Sequence, residues 1–126
     1  MLVKNLLKQT DQLLTFNSTL DKKYEFQLLL SNLLNKNIIE IIINHELKIT
    51  EKKKKKFLKK IYFRNLGKPL SKIIGEKEFY SRQFFVNSFT LDPRPESELI
   101  VDCVKKLKKI EKNNLKILDL GTGSGC

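Results

Sequence analysis

Leu115-Lys116-Ile117-Leu118-Asp119-Leu120 runs directly into Gly121-Thr122-Gly123-Ser124-Gly125-Cys126. The first six residues read as a buried strand, and the next six as a glycine turn at its carboxyl end. Three of the five glycines of the chain fall in that turn. Glycine lets the backbone take positive φ and approach a ligand closely, while N–H groups exposed at a strand-to-helix corner favour a carboxylate or phosphate. A strand followed by such a turn leads into a helix and further parallel strands, because one strand cannot make a parallel sheet. None of these follows Cys126, so the reading expects an α+β fragment truncated from a longer protein.

Upstream of the strand, Pro93, Pro95, Glu96 and Glu98 suit the first turn of a helix. Proline there lacks only a donor already unpaired, and carboxylates meet the positive end of the dipole. Leu99, Ile100, Cys103, Val104, Leu107 and Ile110 then recur at helical spacing, which predicts Cys103 as a buried core thiol. Glu78-Phe79-Tyr80 and Phe84-Phe85-Val86, joined by Ser81-Arg82-Gln83, predict a β-hairpin.

The first half of the chain reads as helical. Leu2, Val3, Leu6, Leu7, Leu13 and Leu14 predict one amphipathic first helix. Ser18 and Asp21 resemble a capping box ahead of Phe26, Leu29, Leu30, Leu33 and Leu34, the clearest helical set. Ile38 to Ile43 is β-branched enough for a strand, but its helical neighbours favour a short helix. Thr50 can cap a helix through the lysine block to Leu66, with Gly67 and Pro69 as its stop signal. Together these make a small bundle that requires a partner domain for firm stability.

Composition narrows the function classes. The chain has 126 residues, 40% of them hydrophobic and 31% charged, the range of one small globular unit. No apolar run approaches the roughly 20 residues of a membrane helix, and the amino terminus has no secretion-signal pattern, so the expected compartment is the cytoplasm. Cys103 and Cys126 are too few for a disulfide framework or a zinc site, and His45 stands without a second ligand, so no metal site is assigned. The net charge of +11 comes almost wholly from lysine, since Arg64, Arg82 and Arg94 are the only arginines. Lysine offers a hydrated point charge rather than a bidentate fork, which weakens a sequence-reading role on nucleic acid.

The dinucleotide fingerprint G-x-G-x-x-G would require glycine at position 126, where Cys126 stands. The form Asp119-x-Gly121-x-Gly123-x-Gly125 instead resembles the first motif of Rossmann-like S-adenosylmethionine-dependent methyltransferases, with a nucleotide site and a plain tight turn as the alternatives. Upstream, Gly67-Lys68-Pro69-Leu70, Ile74-Gly75-Glu76-Lys77-Glu78-Phe79-Tyr80, Phe85-Val86-Asn87 and Pro93-Arg94-Pro95-Glu96-Ser97-Glu98-Leu99 precede it in order. From about residue 64 onward this series is similar to the peptide chain release factor glutamine N5-methyltransferase family. Residues 1–66 resemble its amino-terminal domain more loosely. A related family that methylates a large-subunit ribosomal protein fits less well at the Pro-Arg-Pro-Glu string.

The resemblance implies a helical substrate-recognition domain over residues 1–68 and a β-hairpin linker over 69–90. It also implies the first helix and strand of a Rossmann-like α/β methyltransferase domain over 91–126. The implied reaction moves a methyl group from S-adenosylmethionine to the glutamine side chain in the Gly-Gly-Gln loop of a release factor. An amide nitrogen is a poor nucleophile, so such an enzyme works by positioning it; in the family an Asn-Pro-Pro-Tyr motif does this. That motif is absent from these 126 residues, so the chain by itself is expected to be inactive and to bind the cofactor weakly or not at all.

By the same resemblance Gly121, Thr122, Gly123, Ser124 and Gly125 meet the cofactor's methionine portion. Asp119 either fixes the turn or takes part through its carboxylate. Arg94 and Glu96 either line the cofactor pocket or start the helix and brace the loop as an ion pair. Asp92, Ser97 and Lys72 depart from the family pattern, where an aliphatic residue, a threonine and an aromatic are usual.

Two other functions compete. Lys52 to Lys56 with Lys59 and Lys60 could rest on RNA or an acidic protein surface, although five consecutive lysines point all around a helix and no aromatic is interleaved with them. The same Asn-Pro-Pro-Tyr chemistry serves nucleic-acid adenine methyltransferases, against which the Pro-Arg-Pro-Glu string and the hairpin weigh.

Overall fold

Phe26, Leu29 and Leu30 are all fully buried on one side of a helix that Asp21 starts and Asn35 stops, and the first half of the molecule is assembled on that side. The computed structural model describes residues 1–17, 20–44, 46–110 and 116–126. Ser18 as a helix cap, His45, and Leu115 at the start of the predicted strand lie outside the described residues. The chain divides into two compact units, Met1–Ile74 and Gly75–Cys126.

The first unit is helical: α1 (Val3–Leu7), α2 (Thr10–Leu13), α3 (Lys22–Leu34), α4 (Ile38–Ile43), α5 (Glu51–Asn65) and α6 (Leu70–Ile74). The single first helix expected from leucine spacing is instead two. Lys8 N donates to Lys4 O and Gln9 N to Leu6 O, closing α1, while the Thr10 hydroxyl donates to Leu7 O at 2.7 Å. A hydroxyl that competes for the backbone ladder is enough to break a marginal helix.

The stronger helices follow their sequence signals. Asp21 caps α3 by accepting from Tyr24 N at 2.9 Å, so the cap belongs to Asp21 itself. Asn35 ends the helix with φ 54° and ψ 47°, the left-handed stop that asparagine tolerates. Ile38–Ile43 is helical, as its neighbours suggested. Asn37 and Glu40 close a reciprocal box, with Glu40 N to Asn37 Oδ1 at 2.7 Å and Asn37 N to Glu40 Oε2 at 3.1 Å. Thr50 Oγ1 accepts from Lys53 N at the start of α5, and Gly67, at φ 84°, follows its end. Helix α6 was not read from the sequence, because five residues between Pro69 and Gly75 show no periodicity.

Val3, Leu6, Leu14, Phe26, Leu29, Leu30, Ile41, Ile49, Phe57 and Ile61 make the core of this unit. Phe26 and Phe57 meet edge to face, with ring centroids 4.8 Å apart. Burial of each large apolar side chain contributes about 1.5–3 kcal/mol. The amino terminus is fastened by a short antiparallel bridge, Val3 N to Leu47 O at 2.8 Å and Ile49 N to Met1 O at 2.9 Å. Asn65 joins α5 to the segment after α2, accepting from Thr15 N and Phe16 N and donating to Leu13 O. Inside, Arg64 makes a two-pronged pair with Glu25, Nε to Oε2 at 2.9 Å and Nη2 to Oε1 at 2.8 Å.

The second unit contains the expected hairpin, shifted by a residue or two. Strand β1 (Glu76–Phe79) pairs antiparallel with β2 (Arg82–Phe85), Phe79 opposite Arg82. Arg82 and Gln83, read as part of the connection, are therefore in the ladder, and the turn is Tyr80-Ser81 alone. Both turn residues have positive φ, 50° and 59°; two such residues in succession give the twist that a two-residue hairpin needs. Phe79, Val86 and Pro93 are buried.

A 3₁₀ turn, Pro95–Ser97, leads into α7 (Glu98–Ile110), so Pro95, Glu96 and Glu98 stand at the helix start as expected, whereas Pro93 lies ahead of it. The expected burial of its apolar side is not found. Cys103 is exposed, and so are Leu99, Ile100, Leu107 and Ile110. Helical spacing reports which residues share a face, whereas burial requires an element to cover it, and among the described residues of this unit none does. Residues 116–120 likewise form no strand, and Ile117, Leu118 and Leu120 are 67%, 81% and 84% exposed. A strand needs a neighbour to take its hydrogen bonds. The described elements thus give a helical unit and a two-stranded antiparallel sheet with one long helix, an α+β arrangement.

Candidate functional site

The glycine turn is the first candidate. Gly121, Gly123 and Gly125 have φ of 82°, 57° and 79°, so each glycine sits where an L side chain would be strained. A Cβ added at Gly121 or Gly125 would meet nothing within 4 Å. Gly125 N donates to Thr122 O at 2.9 Å, closing a tight turn. Among the described residues, the N–H groups of Gly121 and Gly123 donate to no other residue of the chain. Unspent donors along an open, glycine-bent backbone are what a carboxylate or phosphate would require.

Around this turn the site is sparse. Asp119, Thr122 and all three glycines are exposed, and Ser124 is half-buried, its hydroxyl 3.4 Å from Cys126 Sγ. Arg94 and Glu96 are both exposed at the start of α7. Among the described residues no ion pair joins them, and neither is hydrogen-bonded to residues 116–126. Arg94 contributes its carbonyl, which accepts from Ser97 N at 3.0 Å. The structure therefore places each sequence-derived site residue without bringing Arg94 and Glu96 to the glycines.

Sequence reasoning missed a second polar cluster at the hairpin turn. Glu98 Oε1 accepts from Tyr80 N at 2.9 Å, the Tyr80 hydroxyl donates to Asp102 at 2.7 Å, and Lys105 Nζ donates to that hydroxyl at 2.8 Å. Lys105 also lies 4.1 Å from the centre of the Tyr80 ring. These bonds hold the turn against α7. The only sequence signal was the four- and three-residue spacing of Glu98, Asp102 and Lys105, which places them on one helical side.

The lysines divide into two groups. Lys52, Lys53 and Lys55 are exposed along the first turns of α5. Lys56, Lys59 and Lys60 line a cavity of about 480 Å³ together with Phe63, Lys68 and Lys72. An aromatic does therefore stand among the lysines, at the position four after Lys59, which the sequence reading overlooked. Lys60 Nζ donates to Asn32 Oδ1 at 2.7 Å and to Ile73 O at 3.1 Å. Burial pushes its ammonium below the usual lysine range. Among the described residues no cluster of three or more histidine, cysteine or acidic side chains could hold a metal ion, and no helix is long and apolar enough to cross a membrane.

Comparison with known proteins agrees with the order of the motifs. Residues 5–75 match the model of the PrmC N-terminal domain. The chain is 46% identical over 104 residues to a release factor glutamine methyltransferase of Buchnera aphidicola from Schizaphis graminum, covering 82% of this chain and 37% of that protein. It is 40% identical over all 126 residues to the protein of the same name from Buchnera aphidicola of Acyrthosiphon pisum, 44% of whose length is covered. A bifunctional methyltransferase of Rickettsia conorii is 32% identical over 98% of this chain and 28% of its own length. The chain thus spans about two fifths of the length of the release factor enzymes it matches.

Proposed function

Because the chain belongs to the release factor glutamine methyltransferase family, we propose that it carries the substrate-recognition half of such an enzyme and the opening of its cofactor site. In this reading residues 1–68 recognise a peptide chain release factor, residues 69–90 form a hairpin linker, and residues 91–126 begin a Rossmann-like domain for S-adenosylmethionine. The reaction is transfer of a methyl group to the glutamine amide of the Gly-Gly-Gln loop, in the cytoplasm.

The observation that carries the cofactor assignment is the glycine turn. Three alternating positive-φ glycines leave the Gly121 and Gly123 N–H groups unspent among the described residues, with open space beside Gly121 and Gly125. A bare backbone of this kind suits the amino-acid end of S-adenosylmethionine, which would be held by residues Gly121 to Gly125. When bound, the cofactor supplies an electrophilic methyl on a sulfonium. Asp119 would order the turn or accept a hydrogen bond from the ligand, and Arg94 and Glu96 would stand at the pocket's rim. The glutamine amide must be held by groups that accept its N–H bonds, the task of the Asn-Pro-Pro-Tyr motif, which these 126 residues do not contain.

The chain by itself therefore transfers no methyl group. Isothermal titration with S-adenosylmethionine is expected to give no saturable binding at micromolar cofactor. Methylation of a release factor by the purified chain would overturn the inactivity. Joining the remaining length of the Schizaphis-associated relative after Cys126 should create glutamine methylation in a Gly-Gly-Gln protein and none in DNA. If that chimera binds the cofactor yet leaves the release factor unmodified, the substrate assignment fails.

A further inference from the structure

The lysine-lined cavity of the first unit stands apart from the glycine turn in sequence and chemistry. Five ammonium groups, those of Lys56, Lys59, Lys60, Lys68 and Lys72, border about 480 Å³ that, among the described residues, no aspartate or glutamate lines. That volume lies within the range of roughly 300–1,000 Å³ typical of ligand pockets. Like charges gathered around an open concavity repel one another, and an anion seated there relieves that repulsion. Solvating five cations on an exposed helix would not require them to share a pocket.

The remaining wall decides what kind of anion fits. Leu33 and Ile73 give the cavity an aliphatic side, and Phe63 gives it a ring. The Phe63 ring is already flanked by Lys59 Nζ at 5.9 Å and Lys68 Nζ at 5.4 Å from its centre. A nucleobase would have to displace those ammoniums to stack there, and a phosphodiester backbone has nothing to set against Leu33 and Ile73. Among the described residues no arginine lines the cavity to grip phosphate with a fork. Carboxylates beside an aliphatic side chain match both walls. Lys60 is held by its bonds to Asn32 and Ile73 O, and an ammonium has one further N–H to give.

We infer that this cavity, lined by Lys56, Lys59, Lys60, Lys68 and Lys72 with Leu33, Phe63 and Ile73, is a docking site for an acidic peptide segment that carries an aliphatic side chain among its carboxylates. The inference goes beyond the methyltransferase reading, and its test involves neither cofactor nor methyl transfer, so either can fail without the other.

The test is fluorescence anisotropy of the full 126-residue chain with a labelled pentapeptide that has four carboxylates around a central leucine. The wild-type chain should bind it saturably and lose affinity steeply with added salt. Exchanging Lys56 and Lys68 together for glutamate should weaken binding by at least about tenfold. Exchanging Lys52 and Lys53 for glutamate changes the net charge equally outside the cavity and should change binding by less than about twofold. Should the glutamate pair at 56 and 68 unfold the chain, Lys56→Gln with Lys68→Gln serves, with a loss of about threefold or more expected. Equal loss from the two glutamate pairs, no binding by the wild type, unchanged binding when the central leucine becomes glycine, or tighter binding of labelled oligouridine would each overturn the proposal.

Discussion

At the residue scale the most demanding group is Arg64. Its side chain is nearly buried, and it is held by both Glu25 oxygens, by Lys68 O at 3.2 Å and by the Phe16 ring, whose centre is 4.1 Å from the guanidinium carbon. Removing one partner of such a pair leaves the other charge desolvated, at a cost of about 3–5 kcal/mol. Arg64→Met should therefore lower the free energy of unfolding by about that amount in urea titrations. The double replacement Arg64→Met with Glu25→Leu should cost clearly less than the sum of the singles. Additive losses would mean that the pair has no coupling. Asn65 beside it is a neutral case. Asn65→Ala removes bonds to Thr15, Phe16 and Leu13 O and should cost about 1–3 kcal/mol by the same titration, with no recovery from any second change at Glu25. Neither role was legible from the residues alone: Arg64 and Glu25 are 39 positions apart, and nothing local links them.

At the scale of elements, caps and turns carry the testable energetics. The α4 box is reciprocal, so Asn37→Ala should destabilise the first unit by about 1 kcal/mol, and Glu40→Ala by less, as read from thermal unfolding. In the hairpin, Ser81 occupies φ 59°, where glycine is at ease. Ser81→Gly should slow amide exchange across β1 and β2 and stabilise the hairpin by about 0.5–1 kcal/mol; faster exchange would show that the serine serves the turn in another way. These same elements mark how far sequence reading reached. Helices α3, α4 and α5 were legible because capping residues and helical periodicity act within a few positions, and so was the hairpin because its aromatics straddle a polar break. The split between α1 and α2 was not, since the leucine spacing runs through it while a single hydroxyl breaks it. The turn's placement at Tyr80 depends on Glu98, eighteen residues on. In the candidate site, the glycines' positive φ was legible from their type, whereas the lysine cavity was not, because Lys68 and Lys72 reach it from beyond the end of α5.

At the scale of the whole molecule, burial is uneven in a way that sequence pattern cannot express. Helix α7 has the clearest division of apolar and polar sides in the chain, yet none of its residues is fully buried. The apolar residues at 117, 118 and 120 are exposed as well. The first unit, by contrast, closes around ten buried hydrophobic residues. Periodicity records what a helix was selected to bury, and the covering surface must come from other residues. In the relatives more than half of the chain lies outside the matched region, which is room enough for the parallel strands that the proposed Rossmann-like domain would set against α7 and residues 116–120. Hydrogen exchange separates the two situations. In the 126-residue chain, amides of α3 and α5 should be the slowest, those of α7 faster on the order of a hundredfold, and those of 116–126 close to unprotected rates. The last expectation rests on a single backbone bond within that segment, Gly125 N to Thr122 O. The chimera that supplies the relative's remaining length should leave α3 and α5 unchanged while slowing α7 and residues 117–120 together, since a strand and its covering helix gain protection as one cooperative unit. Protection of α7 without protection of 117–120 would place the helix against some other surface. Equal protection of all segments in the 126-residue chain would show that the exposed apolar residues find cover among themselves, and the case for a Rossmann-like continuation would lose its physical basis.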